Sequence, residues 1–248
     1  MENDITVILN LFKRPNYLEE QLEAIRAQTV QPSQIWLWIN HADENKKFKV
    51  NRFGFDRVFR SSVNCKFHAR FAVGLMAPTK YVALFDDDTI PGDMWLENCV
   101  SSIQKTPGLY GGVGCIMEGK HYHQHRREGW PSNNEDIERV DLLGHAWFLE
   151  TQNLKYMWSE KPMSLENGED IQLAYLAQKY GGLNCYCPPH PKDNPRLHSS
   201  LKANKYGGDS KASSMGRFIP IPMFYAQRDE LIHEALCGGW ETINPIEL

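Results

Sequence analysis

The sequence predicts an α/β fold with a mainly parallel central sheet flanked by helices. Short apolar runs of strand length alternate with segments in which apolar residues recur at helical spacing. The order of these segments, which is strand, helix, strand, strand, helix, strand, is typical of a doubly wound sheet. A chain of 248 residues with 42% hydrophobic and 23% charged residues has the composition of an ordinary globular protein.

Four strands and three helices are predicted in the first 105 residues. After an opening strand at residues 5–12, Asn16 can cap a helix in which Leu18, Leu22 and Ile25 recur at helical spacing. The other strands of this part are predicted at residues 35–39, 57–60 and 81–85, the other helices at 66–75 and 93–105, and a loop at 44–49.

The second part of the chain is less regular. Strands are predicted at residues 111–117 and 184–187, a polar stretch at 118–138, an apolar segment at 140–150, and a helix at 169–180 that ends at Gly181 and Gly182. A proline-rich stretch, 188–195, precedes a Ser/Lys/Gly-rich segment, 199–216, which we expect to be a mobile loop. Because no internal repeat and no clear linker is present, we expect one domain over residues 1–248.

Charge, hydropathy and cysteine spacing argue against several classes of protein. The formal net charge of −4 gives no overall bias toward nucleic acid or an anionic membrane. No apolar stretch approaches the roughly 20 residues that span a bilayer, and the N-terminal residues lack the pattern of a signal peptide. The six cysteines have no CxxC spacing, so we expect free thiols in a reducing compartment and a cytoplasmic location.

Three consecutive aspartates, Asp86, Asp87 and Asp88, follow the predicted strand 81–85 and precede a turn at Pro91. Adjacent carboxylates repel one another, so a nearby cation is expected to neutralise them. Oxygen ligands at the carboxyl end of an α/β strand suit Mg²⁺ or Mn²⁺ and a phosphorylated ligand. The alternative is an acidic turn whose charges are solvated.

The motifs, taken in order, resemble those of the GT-A glycosyltransferases. The resemblance is closer to the exostosin-like α-N-acetylhexosaminyltransferases and looser to the bacterial heparosan α-N-acetylglucosaminyltransferases. Its segments, spread over residues 5–226, are ITVILNLFKRPNYL, WIN, an arginine at position 70, VALFDDDTI, VDLLGHAWFL and GEDIQLAYLAQKYG. Neither a GxGxxG motif nor a Walker loop is present, which weighs against a dinucleotide enzyme or an NTPase.

This resemblance implies a metal-dependent enzyme that moves a sugar from a UDP-sugar donor to a hydroxyl acceptor. A divalent ion, Mn²⁺ or Mg²⁺, would stabilise the negative charge that develops on the leaving nucleoside diphosphate. Residues 1–105 would then form the nucleotide-binding half and residues 106–248 the acceptor-side half. The acceptor class stays open among a glycan, a lipid-linked sugar, a protein and modified DNA, and so does the oligomeric state.

The resemblance also implies roles for single residues on the donor side. Asp88 would bind the metal, Asp86 would contact the ribose or the metal's water shell, and Asp87 would orient the loop or reach the sugar. His198 lies where some GT-A enzymes supply a histidine to the metal. The residues that would bind the base, ribose and diphosphate are Arg14, Asn40, Asn64 and Arg70; for each arginine, simple solvation at the surface is the alternative.

Glu169 and Asp170 are the candidate catalytic carboxylates. In the related retaining enzymes the second acidic residue lies beneath the anomeric carbon of the donor sugar, which here is Asp170. In inverting relatives a similarly placed carboxylate is the general base, and the nearer resemblance favours retention. Stabilisation of the helix by its dipole is the alternative reason for two acidic residues in a first turn.

Arg217 lies close to the position at which the retaining relatives have an arginine that binds the diphosphate from a mobile loop. Lys202, Lys205 and Lys211 lie on the same segment and compete for this role. A basic loop of this kind would close over the diphosphate and exclude water.

Several residues of the second half have two interpretations. His121, His123 and His125 would share one face of a strand and could bind a transition metal, although a polar acceptor-side loop fits them better. His145 is expected to be an interior histidine or part of the acceptor wall. Trp147 would stack on a sugar or belong to the core.

Two other functions compete with sugar transfer. A nucleotidyltransferase also uses Mg²⁺ bound by carboxylates, but the missing glycine-rich phosphate loop and the segment GED argue against it. A catalytically silent module that binds a nucleotide or a carbohydrate would keep the site without the reaction.

Overall fold

A nine-stranded sheet forms the centre of the molecule in a computed structural model that describes residues 4–206 and 220–247. The strands are β1 (Ile5–Leu11), β2 (Gln34–Ile39), β3 (Arg57–Arg60), β4 (Tyr81–Phe85), β5 (Leu109–Met117), β6 (His125–Gly129), β7 (Glu138–Val140), β8 (Leu142–Glu150) and β9 (Cys185–Cys187). Their order across the sheet is β3-β2-β1-β4-β8-β5-β9-β7, and β6 pairs with β5.

The sheet has a parallel half and a mixed half. Strands β3, β2, β1 and β4 are parallel to one another. Strand β8 then enters between β4 and β5 and is antiparallel to both, whereas β9 is parallel to β5. The predicted α/β fold with a central sheet is therefore confirmed, and the antiparallel pairings belong to the second part of the chain.

Helices cover both faces of this sheet. They are α1 (Leu18–Arg26), α2 (Ala69–Gly74), α3 (Trp95–Lys105), α4 (Glu169–Gly181), α5 (Ala203–Tyr206) and α6 (Ile221–Cys237). Short 3₁₀ turns occur at Pro15–Tyr17, Asp43–Asn45, Thr151–Trp158 and Pro195–Leu197.

The alternation of side chains along each strand divides the core into two layers. In β4, Tyr81, Ala83 and Phe85 pack on the side of α1 and α3, whereas Val82 and Leu84 pack on the side of α2, α4 and α6. Both sets are buried, which explains why the strand has a continuous apolar sequence instead of an alternating one.

Most predicted elements are present, with corrections at their ends. Asn16 does not cap α1, because it lies inside the 3₁₀ turn that precedes the helix. The helix predicted at 66–75 begins only at Ala69, since Lys66 has a left-handed backbone with φ of 52°. Residues 203–206 of the segment expected to be mobile form α5, and its remainder from residue 207 lies outside the described residues.

Helix α6 is an addition that the predicted elements did not include. It follows the part of the chain outside the described residues and buries Leu231, Ile232 and Ala235 against the layer that contains α4. Its apolar residues recur at helical spacing, and Pro222 in its first turn is a common helix-start signal, so the sequence does contain its pattern. Strands β6 and β7 were likewise not predicted, because their exposed residues are polar.

All six cysteines are free thiols, as their spacing predicted. Among the described residues, no helix has both the length and the apolar character needed to cross a membrane.

The parallel half brings the ends of three strands to one edge of the sheet. The registers place Leu11 of β1 beside Ile39 of β2, and Leu9 of β1 beside Phe85 of β4. The segments that follow these strands therefore meet at this edge. Strand β8 extends the same edge, since the backbone carbonyl of His145 accepts a hydrogen bond from the amide of Asp86 at 2.9 Å.

A buried histidine ties the proline-rich stretch to the sheet. His190 is fully buried, donates from Nδ1 to the carbonyl of Pro188 at 2.8 Å and accepts at Nε2 from the amide of Ser199 at 3.1 Å. Ser199 in turn donates to the carbonyl of Gly112 in β5 at 2.9 Å. Burial lowers the pKa of His190 to about 4, because the charged form would lose its hydration.

We expect the fold to lose stability at acidic pH in a way that depends on His190. Its pKa is lower in the folded than in the unfolded chain, so its contribution is lost as pH falls from 6.5 toward 4. Compared with His190→Gln, the wild type should lose about 2–3 kcal/mol more unfolding free energy between about pH 7 and about pH 4.5. Urea denaturation at both pH values measures this difference. His233→Gln, on the exposed face of α6, is the control, and equal losses in wild type and His190→Gln would contradict the expectation.

Candidate functional site

The three aspartates lie at the edge of the sheet where β1, β2 and β4 end. Gln21 of α1 is fully buried and fixes the backbone of the loop that carries the aspartates. Its side-chain amide donates to the carbonyl of Asp86 at 2.6 Å and to the carbonyl of Thr89 at 2.8 Å. The loop therefore has a defined conformation before any of its carboxylates acts.

Arg14, which follows β1, contacts two of the aspartates. Its guanidinium donates to Asp88 at 2.9 Å and forms a second ion pair with Asp87. The arginine is 8% exposed. The resemblance assigned Arg14 to the donor, whereas the structure places it against the carboxylates of the loop, where it offsets their mutual repulsion.

Asp87 is the most enclosed of the three aspartates. It accepts hydrogen bonds from Arg14 and from the backbone amide of Phe12, the latter at 3.3 Å. Burial raises the pKa of this carboxyl to about 7, and the neighbouring Asp88 adds to the effect, although Arg14 opposes it. These contacts join the aspartate loop to the end of β1.

Asp86 and Asp88 are more accessible than Asp87. Their side chains are 29% and 13% exposed, against 7% for Asp87. One oxygen of each is bound to an arginine, Asp86 to Arg70 and Asp88 to Arg14. Asp86 and Asp88 are thus more open to a ligand than Asp87.

The donor set of Asp86 and Asp88 fits a hard divalent cation. Mg²⁺ is commonly held by one or two carboxylates, with phosphate oxygens and water completing its coordination, and Mn²⁺ also prefers oxygen ligands. No three His, Cys, Asp or Glu side chains within residues 4–206 and 220–247 are grouped closely enough to hold an ion alone. A cation at these two aspartates would therefore take its other ligands from a phosphorylated substrate and from water.

His198 is not grouped with the aspartates in the described part of the chain. Its Nε2 donates to the carbonyl of Pro191 at 2.7 Å, and its ring lies 5.4 Å from that of His190. The ring nitrogen that makes this bond carries a proton and offers no lone pair to a metal.

Arg70 of α2 connects the aspartate loop to the start of α4. Its guanidinium forms an ion pair with Asp86 and donates to Glu169 at 3.2 Å. It also lies over the ring of Trp147, 4.6 Å from the ring centre. Arg70 is 3% exposed, so its guanidinium is shielded from water. Trp147 is a buried core residue.

Gly168 sets the position of the two catalytic candidates. It precedes α4 with φ of 82°, and a Cβ at this position would lie 2.2 Å from a side-chain carbon of Leu231 in α6. Only glycine tolerates both this left-handed backbone and so close an approach of a neighbouring side chain. The turn places Glu169 and Asp170 at the start of α4.

Glu169 and Asp170 have different surroundings. Glu169 is 7% exposed, and burial raises the pKa of its carboxyl to about 7, with a further contribution from Asp170 that Arg70 opposes. The side chain of Asp170 is 15% exposed and accepts a hydrogen bond from Arg228 at 2.6 Å.

Arg228 of α6 is a site residue that the sequence reasoning missed. Besides Asp170, its guanidinium donates to the side-chain oxygen of Asn167 at 3.1 Å and lies 4.0 Å from the ring centre of Tyr122. Burial lowers the pKa of Arg228, but Asp170 and other partners outweigh burial and raise it overall, so the residue stays charged. The signal in the sequence is one arginine three residues before the apolar pair Leu231 and Ile232 of α6.

A cavity of about 320 Å³ is lined by Phe12, whose backbone amide donates to Asp87 of the aspartate loop. Its walls are mainly aromatic and amide side chains together with a few charged ones; the lining residues are Asn10, Phe12, Lys13, Asn40, Asn64, Lys66, Phe67, Glu166, Asn167 and Phe224. The amide of Asn40 donates to the side-chain oxygen of Asn64 at 2.9 Å, so two predicted donor residues meet in one wall.

The remaining basic candidates are Arg217 and the three lysines of the same segment. Arg217 and Lys211 fall outside the described residues, whereas Lys202 pairs with Glu20 and Lys205 lies over the ring of Tyr206.

The three alternating histidines do not share one face of a strand, since only His125 belongs to β6. His121 pairs with Asp229 of α6 at 2.9 Å. His145 is half-buried with φ of 65°, and its ring lies 5.3 Å from that of Trp130.

Comparison with known proteins gives one family. The sequence profile of Glycosyl transferase family 2 matches residues 6–157, which is more than half of the chain. No curated protein sequence matches the chain.

Solved structures of two glycosyltransferases are similar in fold. The crystal structure of GalNAc-T7 with UDP, GalNAc and Mn²⁺ has a TM-score of 0.60 and 15% identity, and the match covers 76% of this chain and 43% of that one. For residues 1–349 of TarS from S. aureus with UDP, the TM-score is 0.55, the identity 15%, and the coverage 75% and 58%. The chain thus spans less than two thirds of either protein, and at this identity the likeness shows the fold alone.

We expect Gly168→Ala to destabilise the protein more than Gly182→Ala, its matched control. Both glycines have a left-handed backbone, in which alanine costs about 1–2 kcal/mol. Only at Gly168 does the added Cβ also meet Leu231, whereas nothing lies within 4 Å at Gly182. Urea denaturation measures both losses, and Leu231→Ala should recover part of the loss in Gly168→Ala. Equal losses of unfolding free energy in the two alanine variants would contradict the expected contact between the added Cβ and Leu231.

Proposed function

We propose, from the premise that this chain belongs to glycosyl transferase family 2, that it transfers a sugar from a UDP-sugar to a hydroxyl acceptor with the help of a divalent metal ion. The chain is a glycosyltransferase that uses a nucleotide sugar. The observation that carries the finer proposal is the arrangement of Asp86 and Asp88, each held by an arginine through one oxygen, beside the cavity.

The cavity is the proposed site of the nucleoside. Its aromatic residues, Phe12, Phe67 and Phe224, can pack against a base, and the amides of Asn40 and Asn64 can bond to base or ribose. The crystal structures of TarS and GalNAc-T7 contain UDP, which supports a uridine nucleotide here.

Asp86 and Asp88 are the proposed metal ligands. A bound Mn²⁺ or Mg²⁺ would neutralise the charge that develops on the leaving diphosphate. The chain's own part is to hold two carboxylates in fixed positions, which it does through Arg14, Arg70 and the buried Gln21. Arg217 remains our proposed diphosphate partner on the C-terminal side.

Asp170 is the proposed catalytic carboxylate. In a retaining reaction it would stabilise positive charge at the anomeric carbon from the face opposite the diphosphate. In an inverting reaction it would accept the proton of the acceptor hydroxyl. Both roles need a carboxylate held in a fixed position, and Arg228 pairs with Asp170 at 2.6 Å. The exostosin-like resemblance is the ground for retention, whereas family membership supports sugar transfer in general.

The acceptor is proposed to be a hydroxyl on a glycan, a lipid-linked sugar, a protein or modified DNA. The cytoplasm is the proposed location, supported by the six cysteines, which are all free thiols.

Asp88→Asn should abolish UDP binding that depends on Mn²⁺, because it removes an anionic metal ligand and keeps the shape of the side chain. Calorimetric titration of UDP with and without Mn²⁺ measures the effect. Asp93→Asn is the control, since Asp93 lies on the next turn and pairs with Arg196 at 2.8 Å. If Asp88→Asn binds UDP and Mn²⁺ as well as the wild type, the three aspartates form an acidic turn and the metal proposal fails.

Asp170→Asn should leave UDP binding nearly intact and lower the rate of sugar transfer by about 10²–10⁴. The rate of UDP-sugar hydrolysis, monitored as the release of UDP, can be measured before an acceptor is known. Asp136→Asn, at an exposed position, serves as control.

NMR of the product made from an α-linked donor distinguishes the two roles, since an α-linked product supports retention and a β-linked product assigns Asp170 as general base. Activity near that of the wild type would exclude Asp170 from both roles.

A further inference from the structure

Arg228 is buried next to a carboxylate that the proposed reaction uses. It is 4% exposed, and burying an arginine is costly unless its charge is paired. The described structure supplies Asp170 as the counter-charge at 2.6 Å and the side-chain oxygen of Asn167 as a second acceptor at 3.1 Å.

The second bond of Arg228 acts on the backbone that carries Asp170. The side-chain oxygen of Asn167 also accepts from the amide of Gly168 at 2.7 Å. Arg228 therefore contacts both the carboxylate and the left-handed turn that directs it. Its own position is fixed by the ring of Tyr122 on one side.

Glu169 has a separate partner, so the two adjacent carboxylates are divided between two arginines. Arg70 of α2 donates to Glu169, and Arg228 of α6 donates to Asp170. Each of the two adjacent carboxylates thus has its own positive partner, which offsets their mutual repulsion.

Helix α6 reaches the cavity as well as the carboxylate. Phe224, one turn before Arg228, lines the cavity of about 320 Å³, whereas Arg228 is not among its lining residues. The arginine thus contacts the catalytic carboxylate without contacting the space assigned to the nucleoside.

We propose that Arg228 is a positioning residue, which holds the carboxylate of Asp170 and the turn before it in a fixed orientation at the start of α4. This inference rests on the proposed function, because it assigns Arg228 a role in the same reaction. It predicts that Arg228 affects the rate through Asp170 and affects nucleotide binding little.

A double-mutant cycle over Arg228→Met and Asp170→Asn tests this inference. The readouts are the Kd for UDP with Mn²⁺ and the kcat and KM for hydrolysis of UDP-N-acetylglucosamine, or of UDP-glucose if the wild type hydrolyses it faster. Arg228→Met should change the Kd by less than about threefold and lower kcat by about 10²-fold, whereas in Asp170→Asn the same substitution should change kcat by less than about twofold.

Arg228→Lys separates charge from geometry. Lysine keeps the positive charge but cannot bond to Asp170 and Asn167 with a fixed fork, so kcat should recover to within about tenfold of the wild type. Arg139→Met, on the exposed edge strand β7, is the control for loss of an arginine.

If Arg228→Met alone does not fold, because it leaves Asp170 buried without a counter-charge, Arg228→Lys takes its place in the cycle. It should then lower kcat about tenfold in the wild type and leave kcat unchanged in Asp170→Asn.

Three results would overturn the inference. Arg228→Met could leave kcat unchanged, or the effects of the two substitutions on kcat could multiply in the double variant. Arg228→Met could also lower UDP affinity and rate in parallel. The last would make Arg228 a diphosphate ligand or a brace of the cavity. A wild type that neither binds UDP nor hydrolyses a UDP-sugar would instead contradict the proposed function, so the two failures are distinct.

Discussion

The repulsion among three adjacent carboxylates is the constraint on which the rest of this site depends. Asp86, Asp87 and Asp88 lie at one edge of the sheet, and Arg14 and Arg70 offset their charge from two different elements. Each arginine is buried, so it must itself be paired. The aspartate loop, the segment after β1 and helix α2 are therefore held together by one electrostatic requirement, and none of them can move alone without exposing an unpaired charge.

The same requirement extends to α4 and α6. Arg70 forms ion pairs with both Asp86 and Glu169, and Arg228 of helix α6 forms one with Asp170. Carboxylates and arginines alternate from the sheet edge to the C-terminal helix, which connects the proposed metal ligands to the proposed catalytic carboxylate. A divalent cation and a diphosphate, the ligands proposed for this site, would bring nearly compensating charges to the network.

The fold provides the edge, and the side chains provide the chemistry. The likeness to GalNAc-T7 and TarS at 15% identity shows that this arrangement of strands and helices tolerates extensive change of sequence. In this chain the edge is completed by β8, which is inserted antiparallel beside β4, and by α6, which packs its apolar face against the layer of α4. These two elements bring the second half of the chain to the aspartates.

The sequence by itself determined the elements whose pattern is local. The strand before the aspartates, the helix that begins at Glu169 and the free cysteines all follow from apolar runs, turn residues and cysteine spacing. The carboxylate pairings of Arg14, Arg70 and Arg228 were decided only by the tertiary structure, because each partner lies from 16 to 99 positions away in the chain. A buried ion pair depends on which side chains burial brings together, and an arginine has the same local pattern whether its partner is a phosphate, water or a distant carboxylate.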